Sequence, residues 1–124
     1  MKNKIVDSHC HLNFDDFKDD LDNVIKNAKD KDVDYMLSIS VDLEKFEEIY
    51  NLTQKFKNVW CTTGVHPNNV PNKLDIKNIT KLKSQLLKNL MKKKVVGIGE
   101  TGLDYYRSLE NKQNQIDFFE THMQ

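Results

Sequence analysis

Cysteine is scarce in this 124-residue sequence, and the two present, Cys10 and Cys61, form no CxxC pair. That excludes a disulfide framework and points to reduced thiols in a reducing compartment. No stretch approaches the roughly 20 apolar residues of a membrane span, and residues 1–6 carry too short an apolar run for a secretory leader. The expected location is therefore cytoplasmic. An excess of one charge is missing too, since 19 Lys and Arg balance 19 Asp and Glu. Without a global positive field, any contact with nucleic acid must be local. The longest basic run, Lys92-Lys93-Lys94, closes a helical pattern and reads as a solvated helix end that complements the macrodipole. Gly/Ser-rich linkers and low-complexity tracts are absent, so residues 1–124 read as one domain without an internal boundary.

What is present is alternation. Residues 4–6 give a short strand signal, and Phe17, Leu21, Val24, Ile25 and Ala28 then recur at helical spacing through residues 16–30. Residues 33–41 read as a second strand, followed by a helix face of Leu43, Phe46, Ile49, Tyr50, Leu52 and Phe56. A third strand over 59–65 leads into a loop marked by Pro67 and Pro71, then into an amphipathic helix carrying Ile76, Ile79, Leu82, Leu86, Leu87 and Leu90. Residues 95–99 give a fourth strand, and Ile116, Phe119 and Met123 open a fourth helical face. Four βα units imply a parallel α/β fold, either an open doubly wound sheet or a barrel; periodicity does not choose between them.

The chemistry gathers at the ends of these strands. In Asp7-Ser8-His9-Cys10-His11 the two histidines stand two apart, so on extended backbone both project to one face and can reach one cation. Neutral imidazole is a common metal ligand, and parallel folds place their sites at the carboxyl ends of strands. The bland alternative is a pair of polar loop histidines. Glu100 follows strand four directly and can bridge cations through its two oxygens, or simply be a hydrogen-bonded buried glutamate. His66, in Gly64-Val65-His66-Pro67, ends strand three at the same rim, where it can orient a phosphate or shuttle a proton, or merely face solvent. Gly97, Gly99 and Gly102 spell GxGxxG, yet the residues that follow, Leu103 to Arg107 and Ser108, do not continue as a helix, which argues against a nicotinamide or flavin site. His122 lies on the fourth helix, away from any strand end, and is left outside the site.

Taken in order, Asp7-Ser8-His9-Cys10-His11-Leu12, Gly64-Val65-His66-Pro67 and Gly97-Ile98-Gly99-Glu100-Thr101-Gly102-Leu103-Asp104-Tyr105-Tyr106 resemble the successive signatures of the TatD family of metal-dependent hydrolases. Lys112, Gln113 or Gln115, and Phe118 or Phe119 resemble the pattern that opens that family's fourth helix. The resemblance implies a TIM (β/α)₈ barrel, of which this chain carries about four βα units, an N-terminal half of the roughly 250 residues a barrel takes. It implies two divalent cations per complete site, Mg, Mn or Zn, with His9 and His11 ligating one and Glu100 bridging both. His66 and Asp104 are then the candidate catalytic residues, Tyr106 lies near substrate, and Asp7 supports the ligands by hydrogen bonding. The implied activity is hydrolysis of DNA phosphodiesters. Hydrolysis of an ester or amide such as D-aminoacyl-tRNA is a same-family alternative. The family's two further histidines and one aspartate come from later strands that this sequence does not contain. A truncated, non-catalytic remnant or half-barrel interaction module, completed by a missing C-terminal half or by self-association, is the rival expectation.

Overall fold

The computed structural model describes residues 4–107 and 109–124; the first three residues of the stretch weighed as a leader, and Ser108, lie outside them. Four strands, β1 (Ile5–Cys10), β2 (Val33–Ser38), β3 (Val59–Thr63) and β4 (Val95–Ile98), alternate with four α-helices, α1 (Leu21–Asp30), α2 (Phe46–Lys55), α3 (Ile76–Leu90) and α4 (Lys112–Met123). All neighbouring strands are parallel and lie in the order β1-β2-β3-β4. A doubly wound sheet reverses its order at a switch point. Here each strand is added beside its predecessor, as in the wall of a barrel.

The apolar stripes expected from sequence account for the layering. Ile25 of α1 packs with Met36 and Val59, while Leu21, Val24, Ala28, Leu52 and Phe56 close around them. Phe46 and Ile49 of α2 seat on Cys61. At 2% and 1% exposure, those two side chains each contribute about 2–3 kcal/mol of burial. Leu82 and Leu86 of α3 pack with Val65, Val70 and Phe118. Helix α3 has the predicted limits and begins at a capping box formed by Asp75 and Asn78. Cys10 and Cys61 are free thiols, and burial pushes their pKa values up to about 12 and about 11. No helix among the described residues is long and apolar enough to cross a membrane.

Three expectations need correction. The strand β1 runs to Cys10, so His9 lies within it rather than beyond it. The buried face of α4 is Gln115, Phe118, Thr121 and His122, whereas Met123 of the expected face is 72% exposed. The register differs because polar side chains are buried here to make hydrogen bonds, which hydrophobic spacing does not reveal. Lys94 is no solvated helix end: it follows α3 in the turn before β4, and its Nζ lies 2.7–3.2 Å from the carbonyl oxygens of Thr53, Phe56, Lys57 and Val59. It therefore satisfies the orphan carbonyls at the C-terminus of a different helix, α2. The GxGxxG stretch leads into an irregular loop, and α4 starts only at Lys112, so no helix N-terminus follows the glycines.

Parallel strands are normally covered on both faces. In this sheet Ile5, Val6, Tyr35, Trp60, Val96 and Ile98 are 36–59% exposed, and β1 and β4 each have one unpaired edge.

Candidate metal centre

Strands about 4.8 Å apart place the first and fourth strands of a flat sheet roughly 14 Å from one another. In this protein side chains from the ends of those two strands meet. His9 Nε2 lies 3.5 Å from Glu100 Oε2, and His11 Nε2 lies 4.0 Å from the same oxygen. The strand ends are drawn together by backbone bonds. Glu100 N–H donates to Ser40 O at 2.6 Å, tying the end of β4 to the segment after β2 and bypassing β3. The buried Thr62 hydroxyl accepts from Ser40 N–H and donates to Gly99 O, and Ser40 Oγ donates to Gly64 O at 3.2 Å.

Glycine is required at this junction for two separate reasons. A Cβ on Gly64 would lie 2.5–2.8 Å from the Gly99 backbone, so β3 and β4 approach here only because the side chain is absent. Gly99 itself has φ +147°, a conformation that side chains strain. The Gly64-Val65-His66 and Gly99-Glu100 motifs are thus two sides of one contact.

The hydrogen bonds of the histidines assign their roles. His11 Nδ1 faces Ile39 O at 3.1 Å, so the neutral ring donates its Nδ1 proton there and leaves the Nε2 lone pair aimed toward Glu100. Phe14 stacks on the His11 ring at 4.7 Å and fixes its plane. His66 is the reverse case. Its Nδ1 accepts the Asn68 N–H at 3.0 Å, so the neutral ring carries its proton on Nε2, 3.6 Å from Glu100 Oε1. That nitrogen is a donor. The two carboxylate oxygens therefore face different chemistries, with His9 and His11 toward Oε2 and His66 toward Oε1.

Ligand atoms of His9, His11 and Glu100 all lie within 4.8 Å of one another, and His66 is outside that group. The donor set fits a divalent cation: two imidazoles and a carboxylate, one imidazole in the ligating tautomer, all at least partly open to solvent. Asp7 contributes as expected by a hydrogen bond, but to backbone, since its Oδ1 accepts His9 N–H at 3.1 Å. Asp104 stands apart from the cluster. Its Oδ1 accepts Tyr106 N–H at 3.0 Å, and among the described residues no bond or ion pair joins it to Glu100 or the rim histidines.

His122 is buried and structural. Its Nε2 accepts Val65 N–H at 3.1 Å and its Nδ1 faces Phe118 O at 2.6 Å, and burial lowers its pKa. Gln115, matched above only by its place in the pattern that opens the fourth helix, is 1% exposed. Its Oε1 accepts Asp104 N–H at 2.8 Å and its Nε2 donates to Asp104 O at 3.0 Å, clamping the loop after β4. A glutamine spaced against polar neighbours gives no burial signal in sequence.

Known proteins resemble this chain in sequence and fold. A metal-dependent hydrolase of Buchnera aphidicola, BU355, is 34% identical over 123 residues, covering 96% of this chain and 47% of its own length. Human deoxyribonuclease TATDN3 is 34% identical over 107 residues, covering 82% of this chain and 38% of its own length. The chain thus spans under half the length of these relatives. The crystal structure of YJJV, a TatD homolog from Escherichia coli, matches with a TM-score of 0.82 at 23% identity, over 96% of this chain and 45% of that one. The four βα units accordingly have the TIM-barrel fold of that homolog, over about half of its extent. The family model described as TatD related DNase matches residues 6–124, and a chain so matched and so folded belongs to the TatD family of metal-dependent hydrolases.

Proposed function

We propose that this chain carries the N-terminal part of a two-cation centre that hydrolyses phosphodiester bonds of DNA. The observation that supports it most is the convergence of His9, His11 and Glu100 from the first and fourth strands. Bound divalent cations would supply a water of lowered pKa and Lewis-acid stabilisation of a phosphoryl oxygen. His9 and His11 would hold one cation together with Glu100, whose Oε2 faces these two imidazoles while its Oε1 faces His66. His66, protonated on Nε2, donates to an anionic oxygen of the substrate rather than taking a proton. Asp104 supports the loop beyond Glu100 and acts on the substrate indirectly. Three protein ligands leave much of each ion's coordination to water, so cleavage by this chain alone is slow. The deoxyribonuclease name of TATDN3 favours DNA over other esters. The exposed apolar residues of the sheet favour, in addition, a partner that completes the wall, either a C-terminal half or a second copy.

The test is to load the chain with Mn²⁺ or Zn²⁺, remove free metal and count what is retained, beside His9→Ala and His11→Ala. Retention by the parent and its loss in both variants is expected, with slow metal-dependent release of nucleotides from linear DNA. A parent that keeps no metal ends the metal-centre reading; one that keeps metal but leaves DNA intact while cleaving another ester redirects the substrate.

A further inference from the structure

The open face of the sheet follows from its strand order. Right-handed crossovers between neighbouring parallel strands, taken in the order β1-β2-β3-β4, put every helix on one side. Met36, Val59, Cys61 and Val95 point to that side and pack with residues of α1 and α2. Alternation turns Tyr35, Trp60 and Val96 the other way, joined by Ile98, two beyond Val96, and by Val6, the register partner of Tyr35. These five are 36–59% exposed. Covering them with a helix of this chain would require a left-handed connection. A parallel sheet with all its helices on one side is covered instead by closing on itself. Closure at eight strands takes four more, entering parallel to the free edge of β4 on one side and of β1 on the other. A half wall with those two free edges describes this chain itself.

We propose that the occupant is a second copy of this chain, related by a twofold axis along the barrel, so that β4 of each copy pairs in parallel with β1 of the other. The contact is isologous and closes at two copies. The inference commits the wall-completing partner of the proposed function to one identity, and it rests on the fold rather than on the reaction. A net charge of zero puts no general repulsion between copies. Five such side chains in each of two copies expose on the order of 1,000 Å² in all, the size a stable interface needs, before the paired edges are counted. Both His9-His11-Glu100 clusters then open on one mouth, since all eight strands end there.

Sedimentation equilibrium of the full chain at micromolar concentration, read beside its fluorescence, tests this. The parent is expected at twice the mass of one chain, falling to one on dilution. Trp60, the sole tryptophan, stands on the open face, so its emission should move to shorter wavelength as the dimer forms. Val6→Lys and Val96→Lys place a charge where a single chain meets solvent and a dimer does not, and each should weaken dimerisation at least about a hundredfold. Leu87→Lys, at an equally exposed site on the outer face of α3, should stay within about twofold of the parent. If a lysine variant fails to fold, the mass and Trp60 emission of the parent against concentration still decide. His9→Ala should dimerise as the parent does, so failure of the metal centre and failure of the interface are read separately. A parent that stays monomeric, open-ended association beyond two copies, folded Val6→Lys and Val96→Lys chains that dimerise as well as the parent, or Trp60 emission unchanged by dimerisation would each overturn the proposal.

Discussion

At the carboxyl ends of the strands, three imidazoles crowd to within 4.0 Å of one carboxylate; at the amino ends, one ammonium, Lys94 Nζ, is surrounded by four carbonyl oxygens. Both are polar clusters in the same small sheet, and they are built oppositely. The first leaves lone pairs open: His11 spends Nδ1 on Ile39 and keeps Nε2 free, and among the described residues the Glu100 side-chain oxygens have histidines as their ion-pair partners. The second leaves nothing open, because every donor has an acceptor from a helix end or strand start. Groups kept unsatisfied serve a ligand, and groups fully satisfied serve the fold, which is the division between the two ends expected of a barrel.

Glu100→Ala gives the sharpest break between the ends. Metal retention should vanish, while the unfolding free energy, measured by urea titration, shifts by no more than about 0.5 kcal/mol, as for a partly exposed side chain without packing. A loss of stability comparable to that of a core variant would erase the distinction.

Gly64→Ala should cross the divide. Its Cβ has no room against Gly99, so about 3 kcal/mol of overpacking is expected, together with lost metal as the end of β4 is displaced. Calorimetry and metal counting on the same sample decide whether the two effects travel together.

Lys94→Ala belongs to the opposite end, with an expected cost of about 2 kcal/mol and metal retention unchanged. Because Lys94 has φ +68°, Lys94→Gly should be less harmful than Lys94→Ala by about 1 kcal/mol. If both cost the same, the ammonium contacts rather than the backbone account for the whole loss.

The smallest effect concerns His122, which packs between α4 and the Val65 backbone. Burial holds its pKa below the ordinary 6.5. The unfolded chain then binds the proton more tightly, so this contribution is complete above pH 6.5 and declines as pH falls from there through the folded value. Melting temperatures across that window should drop toward acid, and His122→Gln should flatten that part of the slope. A parent slope of opposite sign would mean the ring is charged in the fold.

Much of this was legible beforehand. The β-branched starts at Val33, Val59 and Val95 and the leucine spacing of α3 located those elements, because burial there is apolar and periodic. His9, His11 and Glu100 were legible as residue types at strand ends, since spacing of two puts both imidazoles on one side of a strand. What stayed hidden was polar burial: Gln115 and His122 occupy the inward face of α4, and Lys94 caps the C-terminal end of α2 through carbonyl oxygens of residues as far as 41 positions before it. Hydropathy assigns such residues to solvent because it does not count hydrogen bonds.

The order of local elements, then, was determined by the sequence through short-range pattern. That side chains from the ends of the first and fourth strands meet, that Gly64 and Gly99 touch, and which nitrogen of His11 and of His66 bears the proton were decided only in the folded chain. Those three depend on the curvature of the sheet and on carbonyl and amide groups supplied by distant segments, and no local rule of spacing contains them.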